Sequence, residues 1–235
     1  NAIKMDFLSR LKGKRIWTEL SLIMLEEAPE KIVKRLQELD LLKFISPDLT
    51  FDKEKEKLFT QMHAVLQWYE LLYRGHPCDT QAFYALGLLD RRGFEQGEDF
   101  CKRTELAESL KRRILENTES FRDATSKLPA AIYTGKKSAI YKVLEPLSQE
   151  TKLFIMAKTK SEEIKKAISN YVTYKDVLKP IFTGEDLKKL GIKEGPVYKE
   201  ILETLKDAKI DLNLRTKEDE ESFVKKYIID QGIVI

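Results

Sequence analysis

Between Thr183 and Leu202 the chain reads TGEDLKKLGIKEGPVYKEIL, which places Lys188, Lys189, Lys193 and Lys199 around a turn marked by Gly191, Gly195 and Pro196. This grouping suits one kind of chemistry, the seating of a phosphate. The spacing predicts a short helix capped at Thr183 and stopped at Gly191, a residue that tolerates the left-handed conformation of helix ends. Pro196 then opens a second helix, where its missing N–H is harmless. Free amides at that N-terminus, uncovered by a side chain at Gly195, can hold an anion with the lysines around it. The same residues also make an ordinary corner between two helices, with the glycines serving geometry alone, and on physical grounds both readings stand.

A second basic pair, Lys136 and Lys137, lies in Thr134-Gly135-Lys136-Lys137-Ser138. It is not a nucleotide-binding phosphate loop: Lys137 stands where Ser or Thr should follow Gly-Lys, and Ala130 stands where the first Gly belongs. A helix start with some general phosphate contact is the expectation. Other chemistries lack their residues. The two histidines, His63 and His76, have no metal-binding spacing, and His63 reads as a surface or boundary residue of its helix. Glu98-Asp99 and Glu162-Glu163 are adjacent in sequence and so point to different helix faces. Glu218 to Glu221 reads as an acidic first turn answering the helix dipole. Cys78 and Cys101 are expected to be free thiols. No catalytic and no metal-binding residue is assigned.

The elements that must carry these lysines are helices. Ile16, Leu20 and Ile23 repeat at helical spacing, as do Ile32, Leu36 and Leu39. Leu58, Met62, Val65, Tyr69 and Leu72 hold one face for four turns, and Ile140, Val143, Leu144 and Leu147 form a compact stripe. Phe154, Ala157, Ile164, Ile168 and Tyr171 continue the pattern. Ser46-Pro47-Asp48 and Gly75-His76-Pro77 break the chain, Asp79 or Thr80 and Ser161 are expected caps, and Thr183 with Asp186 has capping-box spacing. The fold class is all-α.

Charge divides unevenly along this array. The 235 residues sum to +3, yet residues 134–199 hold 14 Lys against 8 acids while the flanking segments are neutral or acidic. A positive stretch of this kind suits a polyanion, although lysines also simply solvate helices. No apolar run approaches the roughly 20 residues of a membrane span, and no signal peptide is visible; Asn1-Ala2 before Met5 reads as a cloning remnant.

Thr183–Leu202 resembles the tail signature of bacterial-type tRNA nucleotidyltransferases, the CCA-adding, A-adding and poly(A)-polymerase-like family, which runs approximately TG-DL--LG---GP---EIL. KEDEESFVKKYI resembles that family's closing helix, and Ser138–Leu144 with Pro146-Leu147-Ser148 its body-to-tail connection. At the other end GKRIWTELSLIMLEEAPEKIVKRLQELDLLKFISPDL resembles the neck segment, with Arg15, Ile16, Glu19, Leu20, Leu41, Leu42, Ile45, Pro47 and Leu49 at matching positions. The resemblance implies an elongated array of neck (1–50), body (51–133) and tail (134–235), with the tail holding a helix-hairpin-helix-like element. The family's DxD pair and EDxxR motif do not occur, so the resemblance implies a chain lacking the catalytic head, where Mg2+ and ATP or CTP would be used.

Its expected role is then to hold tRNA for that head, by backbone and shape contacts through Lys136, Lys137, Lys188, Lys189, Lys193, Gly195 and Lys199, in the cytoplasm and without a membrane partner. A helical scaffold that binds proteins through Trp17, Trp68, Phe94 and Tyr198 is the competing expectation.

Overall fold

A computed structural model describes residues 11–73, 75, 77–90, 94–175 and 178–233, with the side chain of Phe94 excepted. Asn1–Met5, His76 and the Phe94 ring, all singled out above, lie outside this set. Among the described residues there is no strand. The helices are α1 (Gly13–Ile23), α2 (Pro29–Glu38), α3 (Lys53–Glu70), α4 (Thr80–Leu88), α5 (Phe94–Arg103), α6 (Glu108–Tyr133), α7 (Lys137–Leu144), α8 (Gln149–Lys158), α9 (Glu162–Tyr174), α10 (Gly184–Lys189), α11 (Pro196–Leu212) and α12 (Lys217–Asp230), with a 3-10 turn at Leu42–Phe44. None is long and apolar enough to cross a membrane.

They form two compact units. The first takes the chain to Lys127 together with Pro146–Lys165; the second takes Leu128–Glu145 and Lys166 onward. Helix α6 runs through Pro129 and belongs to the first unit as far as Lys127.

In the first unit α3 is the central helix, packed by α2, α4 and α8. Its apolar face buries Leu58, Phe59, Met62, Leu66 and Tyr69. Helix α4 is buried on every side from Ala82 to Leu88. It approaches α3 closely because Gly87 has no side chain: a Cβ there would lie 2.7 Å from the Met62 sulfur and 2.8 Å from the Phe59 ring. Asp79 caps α4 by accepting the Ala82 N–H at 3.0 Å, and its own N–H donates to the buried Glu150 carboxylate at 2.8 Å. At the other end Lys55, a buried lysine, donates to the carbonyls of Leu88 and Thr50 at 2.8 and 3.0 Å. Those two bonds satisfy a helix C-terminal acceptor and discharge the cost of burying an ammonium.

The α2 stripe differs from its sequence reading. Leu39 is exposed and Val33 is the deeply buried residue, with Ile32 and Leu36 half-buried. The left-handed residue Asp40 (φ 57°) turns the chain immediately after Leu39, so the stripe ends one turn early.

The second unit is built on α11. Phe182, Leu187, Ile192, Ile201, Leu205, Val224 and Ile228 form its core, contributed by α10, α11, α12 and the connections between them. Helix α7 packs on α11 in antiparallel sense, since Ser138 meets Asp211, Lys142 meets Asp207 and Glu145 meets Lys206.

Candidate RNA interface

The turn carrying the lysine group is held by three devices. Asp186 in α10 accepts the N–H of Thr183 at 2.8 Å and its hydroxyl at 3.0 Å, and Thr183 is the N-cap. Lys217 at the start of α12 places its ammonium 2.7 Å from the other Asp186 oxygen. That cation first, and the Thr183 N–H second, hold the Asp186 carboxyl down to about 2. Helix α12 is capped in the same manner: Asp219 donates its N–H to the Thr216 hydroxyl at 3.1 Å and accepts the Thr216 N–H at 3.1 Å. These backbone bonds lower the Asp219 carboxyl from its ordinary value.

Behind the turn, Glu220 is fully buried. One of its oxygens accepts the N–H groups of Ile181 and Phe182, both at 2.7 Å, and the other pairs with the buried ammonium of Lys209. A single carboxylate therefore fastens α12 to α11 and to the strap that leads into α10.

Gly191 has φ 84°, the left-handed region, as its place at the end of α10 requires. Gly195 is different. Its backbone is extended (φ 170°, ψ −170°), a conformation open to any residue, and nothing lies within 4 Å of where a Cβ would be. The lack of a side chain thus leaves the start of α11 uncovered, with no side-chain cap on that helix.

Lys188, Lys189, Lys193 and Lys199 are all exposed around this opening. Lys188 bridges to Glu194 at 3.2 Å, Lys199 lies 3.9 Å from Glu203, and Lys189 lies 4.0 Å from Asp186. Exposed pairs of this type contribute about 0–1 kcal/mol, so a phosphate competes with them readily.

Lys136 and Lys137 do not join that group. They stand at the start of α7, Lys136 as its N-cap and Lys137 as its first residue, and α7 meets α11 near Asp211, whereas Gly195 stands at the opposite end of α11. At 1.5 Å per residue the two places are about 24 Å apart along that helix. The start of α7 also holds an anion of the protein's own: Asp211 accepts the Ser138 N–H at 2.9 Å and the Ser138 hydroxyl at 2.5 Å. A phosphate seated on the α7 amides is thereby displaced, and Lys136 and Lys137 are left as exposed side chains without an ion pair among the described residues.

A further cationic place was not foreseen. Lys55, Lys57, Lys158 and Lys160 line a cleft of about 370 Å³ in the first unit, with Glu54 and Asp90. The lysines come from two segments a hundred residues apart in sequence, and no local pattern links them. Among the described residues no group of three His, Cys, Asp or Glu side chains could hold a metal.

Two anchors of the scaffold reading, Trp17 and Tyr198, are engaged internally. Trp17 packs edge-on against Phe100 at 6.2 Å, and Tyr198 donates its hydroxyl to the Ile192 carbonyl at 2.8 Å. Both rings and Trp68 are half-buried, as is His63, whose Nδ1 faces the Tyr84 hydroxyl at 3.5 Å.

Residues 4–52 match the family described as "Probable RNA and SrmB- binding site of polymerase A". Over 223 residues the chain is 35% identical to an A-adding tRNA nucleotidyltransferase of Geobacter sulfurreducens, covering 94% of this chain and 25% of that protein. Over nearly its whole length the chain is thus similar to part of an A-adding tRNA nucleotidyltransferase.

An A-adding tRNA nucleotidyltransferase of Halalkalibacterium halodurans is 22% identical over 225 residues, covering 94% of the chain and 48% of the relative. The chain therefore spans between a quarter and about half the length of these curated tRNA nucleotidyltransferases. The fold agrees with that of a Thermotoga maritima CCA-adding enzyme complexed with tRNA (TM-score 0.76, 21% identity), covering 97% of this chain and 54% of that one. It agrees equally with a CCA-adding enzyme in complex with CTP (TM-score 0.75, 20% identity), covering 100% of this chain and 55% of that one.

Proposed function

We propose that this chain is part of a tRNA nucleotidyltransferase and holds tRNA by its phosphates and shape while a catalytic head adds nucleotides to the 3′ end. The observation that carries the reading is the exposed, loosely paired set Lys188, Lys189, Lys193 and Lys199 around the uncapped start of α11. Similarity to a CCA-adding enzyme solved with tRNA, over nearly the whole chain, supports it. Double-helical RNA hides its base edges in a deep groove and offers phosphates and 2′-hydroxyls. Exposed lysines at helix ends answer that surface. Amide donors at the start of α11 add a fixed contact.

In this reading the helices hold the RNA and are assigned no acid, base or metal ligand of the reaction. Nucleotide addition, with Mg2+ and ATP or CTP, falls in this reading to the head, and that head is the region's second partner. A cytoplasmic location accompanies the role.

The test is tRNA binding as a function of salt. Each phosphate contacted contributes about 0.7–0.9 to the slope of log K against log salt. Lys188→Glu, Lys189→Glu and Lys193→Glu together should weaken binding and flatten the slope by about 2–3. Unchanged affinity and slope would remove this site from the interface.

A further inference from the structure

At the end of α6 the ring of Tyr133 stands in solvent, 95% exposed, with no ring or hydrogen-bond partner among the described residues. The backbone that follows it is pinned. Thr134 and Gly135 donate their N–H groups to the carbonyls of Ala131 and Ile132, at 3.3 and 2.9 Å, and Gly135 takes the left-handed conformation (φ 67°). The Thr134 hydroxyl donates to the Ala131 carbonyl at 2.7 Å and accepts the Lys136 N–H at 3.1 Å. Asp211 fixes the next step through Ser138. A phenol ring and the ammonium groups of Lys136 and Lys137 are thus displayed within five residues on a backbone locked at both ends.

We infer that Tyr133 is a stacking platform for an unpaired RNA base, with Lys136 and Lys137 holding the phosphates that flank it. The inference rests on the RNA-holding reading above and gives that reading a contact of a second chemical kind. An aromatic face accepts any base, because every base has a π-face, and the ring has little conformational freedom to lose. The fixed turn lowers the ordering cost further, since neither the ring nor the ammonium stems must wait for a loop to settle. The two lysines decide between a base and an apolar protein side chain as occupant: a protein hot spot is depleted of lysine, whereas a nucleotide carries its own anion next to the ring. Because Asp211 already fills the start of α7, the phosphate must be met by the lysine side chains, outside the helix axis and on the side of the turn.

The experiment measures binding of labelled tRNA to the 235-residue chain, at several salt concentrations. Tyr133→Ala should weaken binding about 5- to 100-fold with an unchanged salt slope, since no charge is removed. Tyr133→Phe keeps the ring and should bind within about twofold of the wild type. Tyr73→Ala, which removes another exposed tyrosine (88%), should change nothing. Lys136→Glu with Lys137→Glu should weaken binding and flatten the slope by about 2. In a Tyr133→Trp variant, tRNA should quench fluorescence beyond the background set by Trp17 and Trp68.

Tyr133→Ala binding as tightly as wild type, or an unquenched Trp at 133 in a bound complex, overturns the platform and leaves the RNA-holding reading standing. A wild-type chain that binds no tRNA at low salt overturns both. A Tyr133→Ala chain with an unchanged thermal melt but weaker binding, matched by quenching in the Trp variant, supports the platform.

Discussion

Glu220→Ala removes a carboxylate on which three elements converge. It strands the Lys209 ammonium, 5% exposed, and orphans the Phe182 N–H, whose residue is 3% exposed, while the Ile181 N–H belongs to a residue 49% exposed and can turn to water. Breaking a buried ion pair from one side costs about 3–5 kcal/mol. A buried amide without an acceptor adds about 1 kcal/mol or more. The expected loss is therefore about 4–6 kcal/mol, on the order of 10 °C or more in Tm for a chain of this length. Circular dichroism melts and urea titrations measure it.

The double variant Lys209→Met with Glu220→Gln supplies the control. Both charges are gone, and the Gln side-chain carbonyl still accepts the two backbone N–H groups, so most of the loss should be recovered. If Glu220→Ala lies within about 1 kcal/mol of wild type, or the double variant is no more stable than Glu220→Ala, the carboxylate is not the fastening described.

Acid should weaken the second unit in a defined window. The Asp186 carboxyl sits at about 2, below the ordinary carboxylate value of about 3.9, so the unfolded chain takes up this proton first as pH falls. Its stabilisation is complete above about pH 4–5 and is lost as pH drops through about 2. The wild-type advantage over Asp186→Asn in urea should be present at pH 7 and shrink by pH 2.5; a constant difference would contradict the assignment. In the first unit, Gly13→Ala should destabilise by about 1–3 kcal/mol. Its Cβ would stand 2.2 Å from the Arg103 carbonyl, a backbone atom that cannot swing away, and a melt within error of wild type would refute that.

Much of the local structure was legible because its causes are local. Helical spacing gave Leu58, Met62 and Tyr69 as one face, and Thr183 with Asp186 announced a cap three residues long. Gly191 was readable for the same reason, as only a glycine ends a helix there without strain. What was not legible depends on partners far along the chain. Ser138 is capped by Asp211, 73 residues away, and no motif connects them. Lys55 reads as a surface charge by composition, yet it is buried against the carbonyl of Leu88. The candidate lysines looked like one basic stretch in sequence, but α11 sets Lys136 and Lys137 at the far end from Lys193 and Lys199. Tyr133 carried no signal at all, because exposure of an aromatic ring is decided by what fails to pack on it.

The return of Pro146–Lys165 to the first unit has a practical consequence for anyone who dissects this protein. The chain passes from one unit to the other three times, so no single cut yields two self-sufficient fragments. A piece ending at residue 133 would leave α3 and α4 without α8, baring the faces that Leu153, Phe154 and Ile155 now cover. Such a fragment should aggregate, and limited proteolysis that nicks the chain between α7 and α8 should leave the pieces associated. Separate halves would instead require joining residue 127 to residue 146 through a short linker and circularly permuting the remainder.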